Sequence, residues 1–477
     1  MSDMQSMDRE NKKRQLRQNI VQMPDNGSEE PMDGGRLAKY RRKKRIIAVA
    51  AVCFIAALGF TGYRYMNEYE YTGYSVQWER SMRYTENSGA DKKTQVAETS
   101  AAADSAGTDG AGETASAESS GASGAGSRTP DETASAETSA PAEASKTVGD
   151  SSFVKFAMFG DNVIKYTSYI DASGNTIWTQ SYEMKTPIIN INGDYAVIAD
   201  QQGNEMYICS KEGCTGTAKT QLPITKAAVS ARGVTAAVVE DSTASYIFYF
   251  KKDGESLGIN IKMLLSGDGY PVDIALSPDG KQIVMSVMYM KNGALKNKVA
   301  FYDFSEIGKN VNNRFIAAFE EEFDDKMVGR IRYLNDQTVC AFSDKGLTFI
   351  SVKNVIPDTN VTFVPVDEEI QSICYSDKYA AVVVDSTSGS PYRLDVYNTD
   401  GKKVTSIDFD YAYTGVLIDG DRLILYNEES CREYNLDGHE RFNGQFDFSV
   451  SLVRAGKNRT NSLITAGSEV MKEIKLR

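Results

Sequence analysis

A single histidine, His439, serves a chain of 477 residues. It lies in NLDGHERF, which reads as a solvated turn. Without a second imidazole, a His-rich metal centre is excluded, and Ser-His-Asp or Cys-His catalysis has only this one candidate base. No GxxxxGK[ST] is present, and no GxGxxG stands between a strand and a helix. Cysteines number 6, with no CxxC pair to bind a metal. Cys53 follows Val52, the wrong residue type for lipoprotein processing, and reads as a small apolar residue. Cys340, Cys374 and Cys431 read as small buried hydrophobes. Cys209 and Cys214 flank the turn SKEG, a spacing that allows a disulfide across a hairpin. The residues thus indicate no cofactor, no metal and no catalytic constellation. Asp and Glu are plentiful enough to leave a carboxylate-pair hydrolase open, although no pair stands out.

Between Tyr84 and Phe153 there is no aromatic residue, Leu, Ile or Met. Residues 85–150 are rich in Ala, Ser, Thr, Gly and Glu, and such a segment buries too little apolar surface to offset the entropy of ordering it. It is expected to be a disordered loop, with ends on the order of 45 Å apart as a flexible coil. Long apolar runs are equally rare. The one that matters is IIAVAAVCFIAALGFTGY (46–63), which follows RRKKR (41–45). As a helix it would extend roughly 27 Å, about a hydrocarbon core. Residues 1–45 hold twelve Lys/Arg against seven Asp/Glu, so the rest of a chain of net charge -12 carries -17. A basic head before an apolar run points to an anchor at 46–63 in the cytoplasmic membrane, a cytoplasmic tail at 1–45, and everything later outside. A cleaved signal peptide is the alternative, against which stands a preceding region of 45 residues.

What is abundant is Tyr (26) and Gly (38), a balance that leans towards β structure. Short turns between two apolar, β-rich runs recur at Gly160-Asp161, Gly193-Asp194, Arg232-Gly233, Asp279-Gly280, Asn335-Asp336, Asp377-Lys378, Gly420-Asp421 and Gly456-Lys457. They stand 33, 39, 47, 56, 42, 43 and 36 residues apart. Four strands per unit of about forty residues mark an all-β fold, a β-propeller of four-stranded blades. Eight blades are expected over 151–477, with seven as the alternative. The last unit supplies only three strands, and YSVQWERS (74–81), within the strand-like stretch 70–81, is the candidate fourth. Pairing the two ends closes the ring and removes exposed edges. Its Trp matches that of TIWTQ in the first unit. The loop 85–150 then leaves one face of the ring, and the anchor approaches from the other.

The head, the apolar run, QWER, GDNVIKY, GNTIW, INGDYAVIAD, LPITK, GYPVDIALSPDG and LNDQTVCAF together resemble an uncharacterised family of single-pass, membrane-anchored propeller proteins of Gram-positive bacteria, known as a domain of unknown function. The resemblance covers roughly 40–81 and 152–477. It is also distantly similar in fold to quinoprotein-like and WD40-like propellers. The family brings no catalytic residues, so the resemblance implies a fold and an address but no activity.

Several loops expected on the face away from the membrane are acidic. FEEEFDDK offers Glu320, Glu321, Glu322, Asp324 and Asp325, VDEEI offers Asp367, Glu368 and Glu369, and DFDYAY offers Asp408 and Asp410. Gathered on one face they would steer a basic partner or hold divalent cations, and dispersed they would serve solubility. An acidic exterior argues against nucleic acid. The expected function is a non-catalytic interaction scaffold at the outer surface of the cytoplasmic membrane, with an envelope protein or the cell wall as partner. A cell-wall glycan hydrolase or lyase and an envelope sensor relaying to the tail are the alternatives.

Overall fold

Runs such as YAVIAD (195–200), YAAVVVD (379–385) and RLILY (422–426) are apolar on consecutive residues, so both faces of each strand must be covered. The computed structural model describes residues 47–62, 64, 69–81, 157–160, 165–171, 174–353, 356–387, 389–458, 460–467 and 470–477, and shows how. The chain divides into two units, Met1–Tyr69 and Glu70–Arg477. The second forms eight antiparallel sheets, seven of four strands and one of three.

The blades follow chain order. Blade 1 holds Ala157–Gly160, Lys165–Ile170 and Thr176–Tyr182. Blades 2 to 7 start at Pro187–Asn192, Ile224–Val229, Tyr270–Leu276, Val328–Asn335, Ile370–Tyr375 and Gly415–Asp419, and blade 8 starts at Leu452–Ala455. First strands of neighbouring blades touch one another, so they are innermost. In each second strand, alternate residues pack against opposite neighbours. Ala196 and Ile198 face blade 1, whereas Val197 and Ala199 face blade 3. Leu423 and Leu425 face blade 6, whereas Ile424 and Tyr426 face blade 8. A buried apolar cluster fills every one of the eight junctions between blades, including that between blades 8 and 1, where Ile170 meets Ile464, Ala466 and Met471.

Closure depends on Tyr74–Ser81, the outermost strand of blade 8, paired from Tyr74↔Leu476 to Ser81↔Val470. Thr72 N–H donates to Arg477 O (2.8 Å), and Arg477 N–H donates to Gly73 O (2.8 Å). The strand also reaches blade 1, where Arg80 Nε donates to Gly174 O (3.0 Å). The Trp78 ring lies on Gly174, where a Cβ would come within 2.7 Å of the indole. Trp178 lies against the equivalent turn of blade 2 and donates from Nε1 to Ser210 O (3.0 Å).

In SPDG the Asp279 carboxylate accepts from Ser277 Oγ (2.7 Å) and Lys281 N–H (3.1 Å). Gly280 adopts φ +75°, and a Cβ there would meet Val234 at 2.7 Å, so this turn takes glycine for two reasons.

One expectation needs correction. The place of Ala157–Gly160 in blade 1 differs from the sequence reading, which makes it the first strand. Thr176–Tyr182 runs with Trp178 beside Ser210 and Tyr182 beside Tyr207, which is the direction of a fourth strand. Ala157–Gly160 is therefore a second strand, and Gly160-Asp161 begins a second-to-third connection rather than a first-to-second one. The first strand of blade 1 is not among the described residues. The other seven turns do join first to second strands.

In the first unit, residues 47–62 are helical, a length of about 24 Å at 1.5 Å per residue. Ile46 and Tyr63, the expected ends of the span, lie outside the described residues. Among the described residues no helix is long and apolar enough to cross a membrane. The tail 1–45 and the segment 85–150 also lie outside them.

Candidate functional site: an acidic rim and a cationic cavity

Because strands within a blade alternate in direction, connections between blades emerge at the same rim as second-to-third turns. First-to-second and third-to-fourth turns emerge at the other. All ten acidic candidates fall on strand ends or loops between consecutive blades, and so share one rim. About half are matched by cations or hydroxyls. Glu320 lies 3.5 Å from Lys291 and 3.8 Å from Lys298. Asp324 pairs with Lys296 (2.7 Å), Asp325 with Lys326 (3.0 Å) and Glu368 with Arg393 (2.8 Å). The hydrogen bond from Arg393 holds Glu368 below the usual carboxylate range. Asp408 accepts from Ser386 Oγ (3.0 Å). Glu321, Glu322, Asp367, Glu369 and Asp410 carry no side-chain ion pair or hydrogen bond among the described residues. Four of these five are exposed, Glu322 being half-buried. Among the described residues no three acidic, His or Cys side chains converge to hold a metal ion.

The thiols lie elsewhere. Cys209 and Cys214 are joined in a disulfide across the last hairpin of blade 2. Cys340, Cys374 and Cys431 are buried, and burial pushes the Cys374 thiol up to about 12 and raises the other two. His439 is exposed in a turn of blade 7.

The sequence reading missed a second feature, a cavity of about 120 Å³ within the ring, lined by the first strands of blades 2 to 6. Its lining residues sit toward the ends of those strands nearest the first-to-second turns, which is the rim opposite the acidic loops. Arg332 organises it. Its Nη1 donates to Asp273 Oδ2 (2.9 Å) and to the carbonyl oxygens of Ile331 (2.6 Å) and Ile274 (3.3 Å). Its Nε donates to the Tyr375 hydroxyl oxygen (2.9 Å). Asp273 also accepts from Ile331 N–H (2.9 Å) and lies 3.8 Å from Arg330 Nη1. Asn190 accepts Val229 N–H through its Oδ1 (3.0 Å). Across the described first strands, Lys226, Arg330, Arg332 and Arg454 face only Asp273 and Asp419. The inner wall is thus positive in a chain whose net charge is -12. The signal was present as Arg330-Ile331-Arg332, two cations at i and i+2 on one strand and therefore on one side of it. Nothing in the sequence says that five blades bring that side to a shared cavity.

Eight blades, a filled junction between every pair and a strand borrowed from before residue 82 define a closed eight-bladed β-propeller. The chain belongs to the DUF5711 family, a family of unknown function whose profile matches residues 134–476. No curated protein matches it. Among solved structures it is similar to Sqt1 of Chaetomium thermophilum bound to the N-terminus of the ribosomal protein L10. That likeness has 12% identity over 67% of this chain and 92% of that one, with a TM-score of 0.44. The Dos1 propeller gives 9% identity over 65% and 86%, TM-score 0.42. Hydrazine synthase of Kuenenia stuttgartiensis gives 12% over 64% and 99%, TM-score 0.37.

Proposed function

We propose that this chain is a membrane-tethered, extracytoplasmic propeller that acts as a non-catalytic docking platform for a basic partner in the cell envelope. The observation that carries this reading is the set of acidic side chains left without cations on one rim: Glu321, Glu322, Asp367, Glu369 and Asp410. Their shared field would steer a cationic surface to that rim and raise the association rate. The tether rests on the cation cluster at 41–45 before the uncharged run 46–63, and on a helix over 47–62 whose apolar side chains, among them Ile47 and Ile55, stand exposed. The carboxylate chemistry of a glycan hydrolase finds less support, because Asp273 is already engaged by Arg332, Arg330 and the Ile331 amide.

The test is crosslinking capture from intact cells, using the full-length chain and a variant with those five acids changed to Asn or Gln. The full-length protein is expected in the membrane fraction after alkaline extraction, crosslinked to a specific envelope partner that the variant loses at low salt. Release of the protein by alkali would overturn the tether. Equal capture by the variant would overturn the rim.

A further inference from the structure

We propose that the cavity inside the ring binds an oxyanion, the carboxylate or phosphate group of a small ligand. The site is independent of the acidic rim and lies towards the opposite end of the first strands.

The argument starts from which hydrogen-bonding groups are already used. Arg332 is largely buried, its side chain 14% exposed, and commits Nε and Nη1 to protein acceptors. Its Nη2 has no acceptor among the described residues. The Tyr375 hydroxyl oxygen accepts from Arg332, so its own O–H is left to donate, and this residue is 40% exposed. Asn190 spends its carbonyl oxygen on Val229 N–H, which turns the amide Nδ2 into the free group. Arg332, Tyr375 and Asn190 thus each leave a donor, beside the Asn192 amide, which can donate or accept. A cavity in which donors predominate and one of them is a cation is complementary to an oxyanion rather than to a cation.

Charge leads to the same ligand. Asp273 is one carboxylate between two guanidinium groups, Arg330 and Arg332, so the pocket keeps one positive charge in excess. That excess sits on Arg330, whose side chain is 49% exposed, and favours the approach of an anion. Arg332 is held in a fixed plane by four hydrogen bonds, which pre-organises its remaining Nη2 as a donor to an oxyanion. The Ala228 and Leu276 side chains are spent in the core between blades 3 and 4, so the lining keeps a mainly polar character. At about 120 Å³ the space has room for a carboxylate or phosphate group.

Isothermal titration calorimetry of the full chain in mild detergent at low salt tests this, with phenyl phosphate, benzoate and the neutral benzyl alcohol as probes. The oxyanions are expected to bind and benzyl alcohol not to. Tighter binding of phenyl phosphate would assign a phosphate ester, and tighter binding of benzoate a carboxylate. Tyr375→Phe and Arg330→Gln are each expected to weaken the better probe by about tenfold. Both residues are substantially exposed, so neither change removes core packing, and unchanged circular dichroism checks this. Arg332 is left alone because it also anchors Asp273. Binding of benzyl alcohol as strong as that of the anions, binding of neither anion, or affinity unchanged in both variants would overturn the site.

Discussion

At the scale of single residues, buried charge is tolerated only where its partner is fixed. Arg422 and Glu433 are 6% and 0% exposed. Arg422 Nε donates to Glu433 Oε1 (2.9 Å), and its Nη1 to Ser462 O (3.0 Å) in blade 8. Glu433→Ala would leave that guanidinium buried without its anion and is expected to cost about 3–5 kcal/mol by urea denaturation. Replacing both residues by Met and Leu is expected to be close to neutral, because the desolvation of both charges is then avoided. Asp241 supplies a pH-dependent counterpart at the surface. The Thr243 N–H and hydroxyl, the Ala244 N–H and the Tyr246 hydroxyl all donate to it, and they bring its carboxyl from 3.8 down to about 2. A lowered carboxyl stabilises the fold above its ordinary range and loses that effect as pH falls through its folded value. The urea midpoints of the native protein and Asp241→Asn should therefore differ at pH 5 and converge towards pH 2. A gap that stays constant would assign the effect to something other than ionisation. The acidic rim was legible at this scale because consecutive acids in a loop announce themselves. Arg330, Arg332, Tyr375 and Asn190 were not, since each is an ordinary strand residue until distant blades place them round one space.

At the scale of elements, the turns were the readable part. Pairs containing Gly, Asp or Asn between apolar runs gave the seven first-to-second turns among the described residues, because tight turns demand particular residues regardless of what lies around them. Gly160-Asp161 has the same chemistry but serves a different connection. A turn signal reports that the chain reverses, not which pair of strands it joins. Only counting reversals up to Pro187 reveals the shift. The closing strand was legible for another reason: YSVQWERS alternates like a strand yet has no neighbour of its own in sequence. Its role makes a mechanical prediction. If a protease site is introduced near residue 120 and cleaved, the two fragments should co-elute in native buffer and part only in denaturant. The ladder from Tyr74 to Ser81 and the Arg80 contact with Gly174 would hold them together. Separation without denaturant would show that the ring does not need this strand.

At the scale of the whole molecule, the two chemical features separate along the axis. The acidic side chains gather where blades connect to one another, and the cationic cavity sits toward the other ends of the first strands. Negative charge outside and positive charge within give the ring a polarity that neither total charge nor composition reports. Eight similar blades could have distributed charge evenly. Here the charge follows position within the blade, with acids on interblade loops and cations on first strands.

The borrowed strand also bears on how the chain is made. Tyr74–Ser81 leaves the ribosome long before Val470–Leu476, the strand it must pair with. Throughout synthesis it has no partner, and blade 8 is the last to acquire a protected edge. Contacts this distant in sequence form slowly and last. A prematurely terminated chain would therefore carry an unsatisfied β-edge at each side of the gap, open to chaperones, proteases and other nascent chains. The seam thus acts as a length check: only a chain translated through Leu476 can hide both edges.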